Sequence, residues 1–235
     1  MVSAPVIVTR AEPGASETVA RLEARGLKAI PCPMLELAPI AGAVPETEGV
    51  SHIVFTSANG VRFFAAATGW RQGRAWCVGP STAEAARRAG FADVHEGAGD
   101  AEDLAAEMIA ALPAGTGGIL HVANEAAAGA LVARLMAAGL GARFEALYET
   151  RPTGALSPEA AVALAAGRCF VLVHSAKGAA AFSEVWTHPG NAVIVAISDA
   201  AAWPLRESGA AAIVKAAAPN EDALLEALDT AMLGL

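Results

Sequence analysis

The sequence predicts an α/β protein built from two similar small parallel-sheet domains, and three observations carry that prediction. Short apolar runs alternate with alanine-rich amphipathic segments along the chain, the pattern of parallel strands joined by helical crossovers. A set of strand–helix units recurs at a nearly constant spacing. Small polar residues and glycine follow the apolar runs, where parallel sheets present helix N-termini to ligands.

The predicted strands are 6–10 (VIVTR), 27–32, 52–57 (HIVFTS), 75–79, a short 93–97, 117–122, 142–150, 169–175 (CFVLVHS), 192–198 and 211–217. Helical segments such as 16–26, 101–112, 128–140, 158–167 and 220–233 lie between them, most placing Leu, Val or Met at three- and four-residue spacing, which gives one apolar stripe per helix. Gly26, Gly90, Gly139 and Gly209 stand where helices should end.

The chain has 235 residues, 54% of them hydrophobic, enough for one large or two small domains. Mean hydropathy is +0.44, but no apolar run approaches the roughly 20 residues that span a bilayer. The opening MVSAPVIVTRAEPG shows no basic region followed by an apolar one. A soluble, cytoplasmic protein is expected. Cys32, Cys77 and Cys169 are odd in number and widely spaced, and His52, His95, His121, His174 and His188 show no ligand spacing; neither a disulfide framework nor a metal site is predicted. Cys77 and Cys169 read as small buried hydrophobes. A net charge of −8 argues against a general nucleic-acid surface, while local amides and cations can still bind an anion. The acidic helices lack large apolar patches and read as those of a monomer.

The internal repeat has four parts. Residues 52–64 match 170–182, with Ser57 opposite Ser175 and Gly60 opposite Gly178. Residues 76–90 match 195–209, and 99–108 match 219–228. Upstream, 19–36 match 132–149, with Gly26 opposite Gly139. A repeat this long means domain-sized halves. Residues 114–118 are no longer than an ordinary loop. The proline-rich stretch at Pro31, Pro33 and Pro39 and its counterpart at Tyr148–Pro152 read instead as paired connections, which makes one domain discontinuous and suggests a ligand held between the halves.

Candidate ligand positions follow the strands at Thr9-Arg10, Ser57-Ala58-Asn59-Gly60, Gly79-Pro80-Ser81-Thr82, His174-Ser175-Ala176-Lys177-Gly178 and Ser198-Asp199. Each has a structural alternative. Ser81-x-x-Glu84 has capping-box spacing, and Ser57 and Ser175 can equally be helix caps. The common phosphate-loop fingerprints and the G-x-S-x-G nucleophile motif are absent. Tyr148 is the single tyrosine; its phenol can donate a proton to a leaving oxygen, or it can be a packing residue.

Taken in order, Thr9-Arg10, P-C-P-M-L-E-L-A-P (31–39), I-V-F-T-S-A-N-G-V (53–61), C-V-G-P-S-T-A-E-A-A-R-R-A-G (77–90), L-Y-E-T-R-P (147–152) and V-L-V-H-S-A-K-G (171–178) resemble the uroporphyrinogen-III synthase family over essentially the whole chain. The resemblance implies a HemD-like fold, two flavodoxin- or Rossmann-like domains joined by a two-stranded connector with the active site in the cleft between them. On that basis 1–35 plus 151–235 form one domain, 40–147 the inserted one, and 36–39 and 148–150 the connectors. The implied reaction converts hydroxymethylbilane into uroporphyrinogen III with loss of water and inversion of the last ring, with no cofactor and no metal. Tyr148 matches the family tyrosine thought to assist departure of the hydroxyl. Arg10, Ser57, Asn59, Gly79, Thr82, Ser175, Ala176 and Lys177 match substrate-binding positions. No nucleic-acid or membrane partner is implied, and a transient contact with the preceding pathway enzyme is compatible with the reaction. Two stretches depart from the family pattern, Ser198-Asp199-Ala200-Ala201 and Ala123-Asn124-Glu125-Ala126. They remove ligand contacts, and Asp199 or Glu125 would repel carboxylates. The alternatives are a diverged relative that binds a tetrapyrrole or another anion without turnover, and an unrelated hinged binding protein.

Overall fold

The computed structural model describes residues 4–127, 130–187 and 190–234; His188 and the start of the predicted helix 128–140 lie outside them. The chain opens with β1 (Val6–Val8), α1 (Gly14–Glu23), β2 (Ala29–Pro31) and β3 (Leu35–Pro39). It continues through β4 (His52–Phe55), α2 (Ala58–Ala67), β5 (Arg74–Cys77), α3 (Pro80–Arg88), β6 (Val94–Glu96), α4 (Ala101–Ala111), β7 (Ile119–Asn124), α5 (Ala130–Ala137) and β8 (Ala142–Pro152). It closes with α6 (Pro158–Ala166), β9 (Cys169–Val173), α7 (Ala176–Val185), β10 (Ala192–Ala196), α8 (Asp199–Ala202), β11 (Ala212–Lys215) and α9 (Glu221–Gly234). Eight of the ten predicted strands end earlier than expected, while those at 117–122 and 142–150 run on to Asn124 and Pro152. Thr56-Ser57 and His174-Ser175 leave the ladder, because a serine that caps the following helix cannot also extend the strand.

Two compact units result, Met1–Glu36 with Arg151–Leu235, and Leu37–Thr150. The chain passes from one to the other in β3 and near the end of β8. The first unit holds a five-stranded sheet in the order β11-β10-β9-β1-β2, all parallel. In the second, β6-β5-β4-β7-β8 are parallel, and β3 lies beyond β8. Under the repeat, β9, β10 and β11 correspond to β4, β5 and β6, and β1 and β2 to β7 and β8. The two sheet orders are therefore the same, entered at different strands.

Both sheets are covered on both faces, so their central strands are largely apolar, with His121 of β7 a buried polar exception. In the first unit Ile7, Val171, Val173 and Ile194 pack with Leu164 of α6 and Phe182 of α7, while Val6, Val8, Leu172 and Val195 meet Leu22 of α1 and Leu224 and Leu228 of α9. In the second, Ile53, Phe55, Leu120 and Val122 face Val61 and Phe64 of α2. On its other side Val54, Trp76 and Ile119 face Leu104 and Met108 of α4 and Leu135 of α5. The alternation follows from successive side chains pointing to opposite faces.

Gly26 and Gly139, equivalent in the repeat, terminate α1 and α5 with φ of 75° and 82°. The next residues, Leu27 and Leu140, bond back to the carbonyls of Leu22 and Leu135, the six-to-one closure that only a left-handed residue permits cheaply. The capping-box reading of Ser81 is corrected. Gly79 holds the cap position of α3, Pro80 is the first helical residue and Ser81 lies inside the first turn. Proline has no N–H to satisfy and its φ suits the first position, so Pro80 sets the start one residue before the serine could cap it. All three cysteines are buried, and burial pushes the thiols of Cys77 and Cys169 up to about 12 and about 11.

Candidate functional site

In open α/β sheets ligands sit beyond the strand carboxyl ends, where the connections turn in opposite directions. That point falls between β1 and β9 in the first unit and between β4 and β7 in the second, so each unit carries one such position.

In the second unit, β4 gives way to Ser57, whose extended backbone (φ −161°, ψ 155°) caps α2 and whose Oγ accepts the Gly60 N–H at 3.1 Å. The same Oγ lies 3.0 Å from Tyr148 Oη. Tyr148 is buried, and its ring stacks on Phe63 of α2 with centroids 4.5 Å apart and planes 8° from parallel. A ladder irregularity aims it there. Ala123 of β7 pairs with Ala146, but Asn124 pairs with Tyr148, leaving Leu147 as an extra residue. Strict alternation would put Tyr148 on the face of Phe144, which packs against His121. The bulge instead lets both Leu147 and Tyr148 reach the α2 side, the re-aiming that bulges provide beside functional groups. Beneath, His121 is 2% exposed and burial pushes its imidazole down to about 4. Its Nε2 lies 3.3 Å from Thr56 Oγ1, and its Nδ1 has no partner.

In the first unit, Ser175 repeats the cap almost unchanged (φ −159°, ψ 155°), its Oγ accepting from Gly178 N–H at 3.0 Å. Arg10, at the end of β1, joins Thr9, Ala11, Leu35, His174, Ser175 and Gly178 around a recess of about 250 Å³. Glu221, in the first turn of α9, organises the polar groups beside it. Thr18 donates to its Oε1 at 2.7 Å, His174 Nε2 lies 3.1 Å from its Oε2, and the Arg10 guanidinium lies 3.5 Å away. Burial pushes the pKa of this carboxyl up, but hydrogen bonds from His174 and Thr18 with the charges of His174 and Arg10 outweigh it and hold the group at about 2. Since the ionised carboxylate only accepts, His174 Nε2 carries the proton toward it.

The structure thus brings Ser57 to Tyr148, and Arg10 to Ser175, each pair inside one unit. Ala176 and Lys177 are exposed in the first turn of α7. Asn59 lines a separate groove between α2 and α3 with Arg62 and Arg88. Thr82 is 2% exposed in the first turn of α3, and Gly79 is its cap residue. Asp199 pairs with Lys215 at 2.8 Å, so the charge expected to repel carboxylates has its own counter-ion. Phe63 and Glu221 were not legible as site residues. For Phe63 a signal exists, since the repeat sets it opposite Ala181 and Tyr148 opposite Leu35: the two aromatic positions change together between copies.

The chain is similar to known proteins over most of its length. Residues 16–226 match the family model of uroporphyrinogen-III synthase HemD. The crystal structure of uroporphyrinogen-III synthetase from Helicobacter pylori 26695 is 16% identical, with 98% of this chain and 100% of that chain covered and a TM-score of 0.56; it supports the fold. A mutant uroporphyrinogen III synthase from the extremely thermophilic bacterium Thermus thermophilus is 18% identical, with 99% and 100% covered and a TM-score of 0.45. No curated protein matches significantly.

Proposed function

The chain belongs to the uroporphyrinogen-III synthase family, cofactor-independent hydro-lyases of tetrapyrrole biosynthesis, and from that premise we propose that it closes hydroxymethylbilane to uroporphyrinogen III with Tyr148 as the proton donor. The observation that carries this is the Tyr148 phenol, held against Ser57 at the strand-end position of its unit. The substrate is an eightfold carboxylate. The first turn of α2, in the unit that holds Tyr148, offers donors to some of those groups, a helix terminus contributing about 0.3–1 kcal/mol at an exposed position.

The phenol gives its proton to the terminal hydroxyl as the C–O bond breaks, so water departs and an electrophilic pyrrolylmethyl cation remains. The last ring's substituted α-carbon bonds to that cation and becomes a spiro centre. Its bond to the methylene of the preceding ring then breaks, and the methylene cation so released bonds to the last ring's unsubstituted α-carbon, whose proton returns to the phenolate. Protons balance over the cycle and water is the only other product. The enzyme's larger contribution is to fold a reactive chain so that closure takes one course. The reading includes action in the cytoplasm as a monomer; no helix among the described residues is long and apolar enough to cross a membrane.

Fresh hydroxymethylbilane mixed with purified protein tests the reading through the ratio of isomer III to isomer I. An excess of isomer III is expected. A ratio equal to the protein-free control would leave only a tetrapyrrole- or anion-binding relative.

A further inference from the structure

We propose that Ser57 is a positioning residue that sets the direction of the Tyr148 proton, so that the phenol donates outward to the leaving hydroxyl rather than back into the protein. This rests on the role given to Tyr148 above.

Three contacts carry it. Gly60 N–H donates to Ser57 Oγ at 3.1 Å, and Ser57 Oγ lies 3.0 Å from Tyr148 Oη. One hydroxyl of that pair must donate to the other, and each has a single proton. With an amide proton already on its oxygen, Ser57 becomes the stronger donor, because hydrogen bonds in a chain polarise one another. The amide belongs to the first turn of the ten-residue α2, whose positive end favours negative charge farther along the chain. The order Gly60 N–H to Ser57 O–H to Tyr148 O–H leaves the phenolic proton as the terminal donor. When the C–O bond of the substrate breaks and takes that proton, the phenolate left behind still accepts from Ser57. The flat stack on Phe63 keeps the phenol from rotating out of line.

The duplicated copy shows what the cap does alone. Ser175 has the same backbone conformation and the same bond from Gly178 N–H, but Leu35, with no polar atom in its side chain, occupies the place of Tyr148. The serine cap there meets no phenol, whereas the cap of α2 does.

Because the chain has one tyrosine, protein labelled with ¹³C at tyrosine Cζ gives a single resonance that reports hydrogen bonding at that oxygen. Ser57→Ala should displace this resonance, while Ser57→Thr and Ser175→Ala leave it in place. In turnover, Ser57→Ala should lower kcat about tenfold or more with KM within about twofold, and Ser57→Thr should recover most of the loss. A Cζ resonance unmoved in Ser57→Ala overturns the proposal, as does a raised KM with kcat intact. Wild-type protein that makes no isomer III would refute the function reading instead, and the Cζ measurement would still decide the pairing.

Discussion

The two strand-end positions of this molecule share a backbone and differ in chemistry. Ser57 and Ser175 cap their helices with angles that agree closely, and they follow equivalent strands, β4 beside β7 and β9 beside β1. Beside Ser57 stands a stacked Tyr148–Phe63 pair, and the neighbouring Thr56 meets the buried His121. Around Ser175 stand Arg10, His174 and the ionised Glu221. By repeat position Arg10 faces Ala123, Glu221 faces Ala101, and Tyr148 faces Leu35. Duplication preserved what folding requires, the cap and the sheet order. The side chains that project beyond them were free to diverge, one copy carrying a phenol and the other a guanidinium.

The largest test of that divergence is Tyr148→Phe. It removes one oxygen and keeps the stack on Phe63, so stability should fall by no more than the roughly 0.5–1.5 kcal/mol of one hydrogen bond, while the rate of isomer III formation falls about 100-fold or more, the usual range for a positioned acid. An undiminished rate would break the comparison at its centre.

Acid should next separate the two units. His121 has a folded-state value of about 4, below its ordinary 6.5, so the unfolded chain takes up a proton first. Its contribution is whole above pH 6.5 and is lost as pH falls toward 4, up to about 3 kcal/mol. Glu221, at about 2 against an ordinary 4.5, contributes fully above pH 4.5 and loses that contribution on the way to pH 2. Solvent screens this half-buried carboxylate, so its loss is smaller, about 1–2 kcal/mol. Hydrogen exchange should therefore report loosening of Leu37–Thr150 before the unit that contains Glu221. His121→Phe should flatten the first phase and Glu221→Gln the second; simultaneous loss in both variants would show the units to be energetically inseparable.

The smallest effect concerns the caps. Ser175→Ala should cost about 1 kcal/mol of stability through its cap alone. Ser57→Ala loses the same cap and also a bond to Tyr148, so denaturant midpoints should place it lower by a further amount of about 0.5–1.5 kcal/mol. Equal midpoints would mean that the Ser57–Tyr148 contact adds nothing to stability.

The alternation of apolar runs with amphipathic segments determined the α/β class, because buried parallel strands and one-sided helices each impose their own hydrophobic period. The repeat was legible for the same reason: Gly26 and Gly139 end equivalent helices, and Ser57 and Ser175 begin them. Ser81 misled, because a capping-box spacing is local and Pro80 overrode it. The bulge at Leu147 had no local signal, since it depends on how β7 pairs with β8; nor did Glu221, whose partners Thr18 and His174 are 203 and 47 residues away. The sequence by itself determined most of the strands and helices, their duplication and the presence of one tyrosine near a strand end, but not β3, whose residues read in sequence only as a connection. Only the tertiary structure decided which way that tyrosine turns, which serine it meets and which carboxylate balances Arg10, because those outcomes depend on strand register and on contacts between residues far apart in the chain.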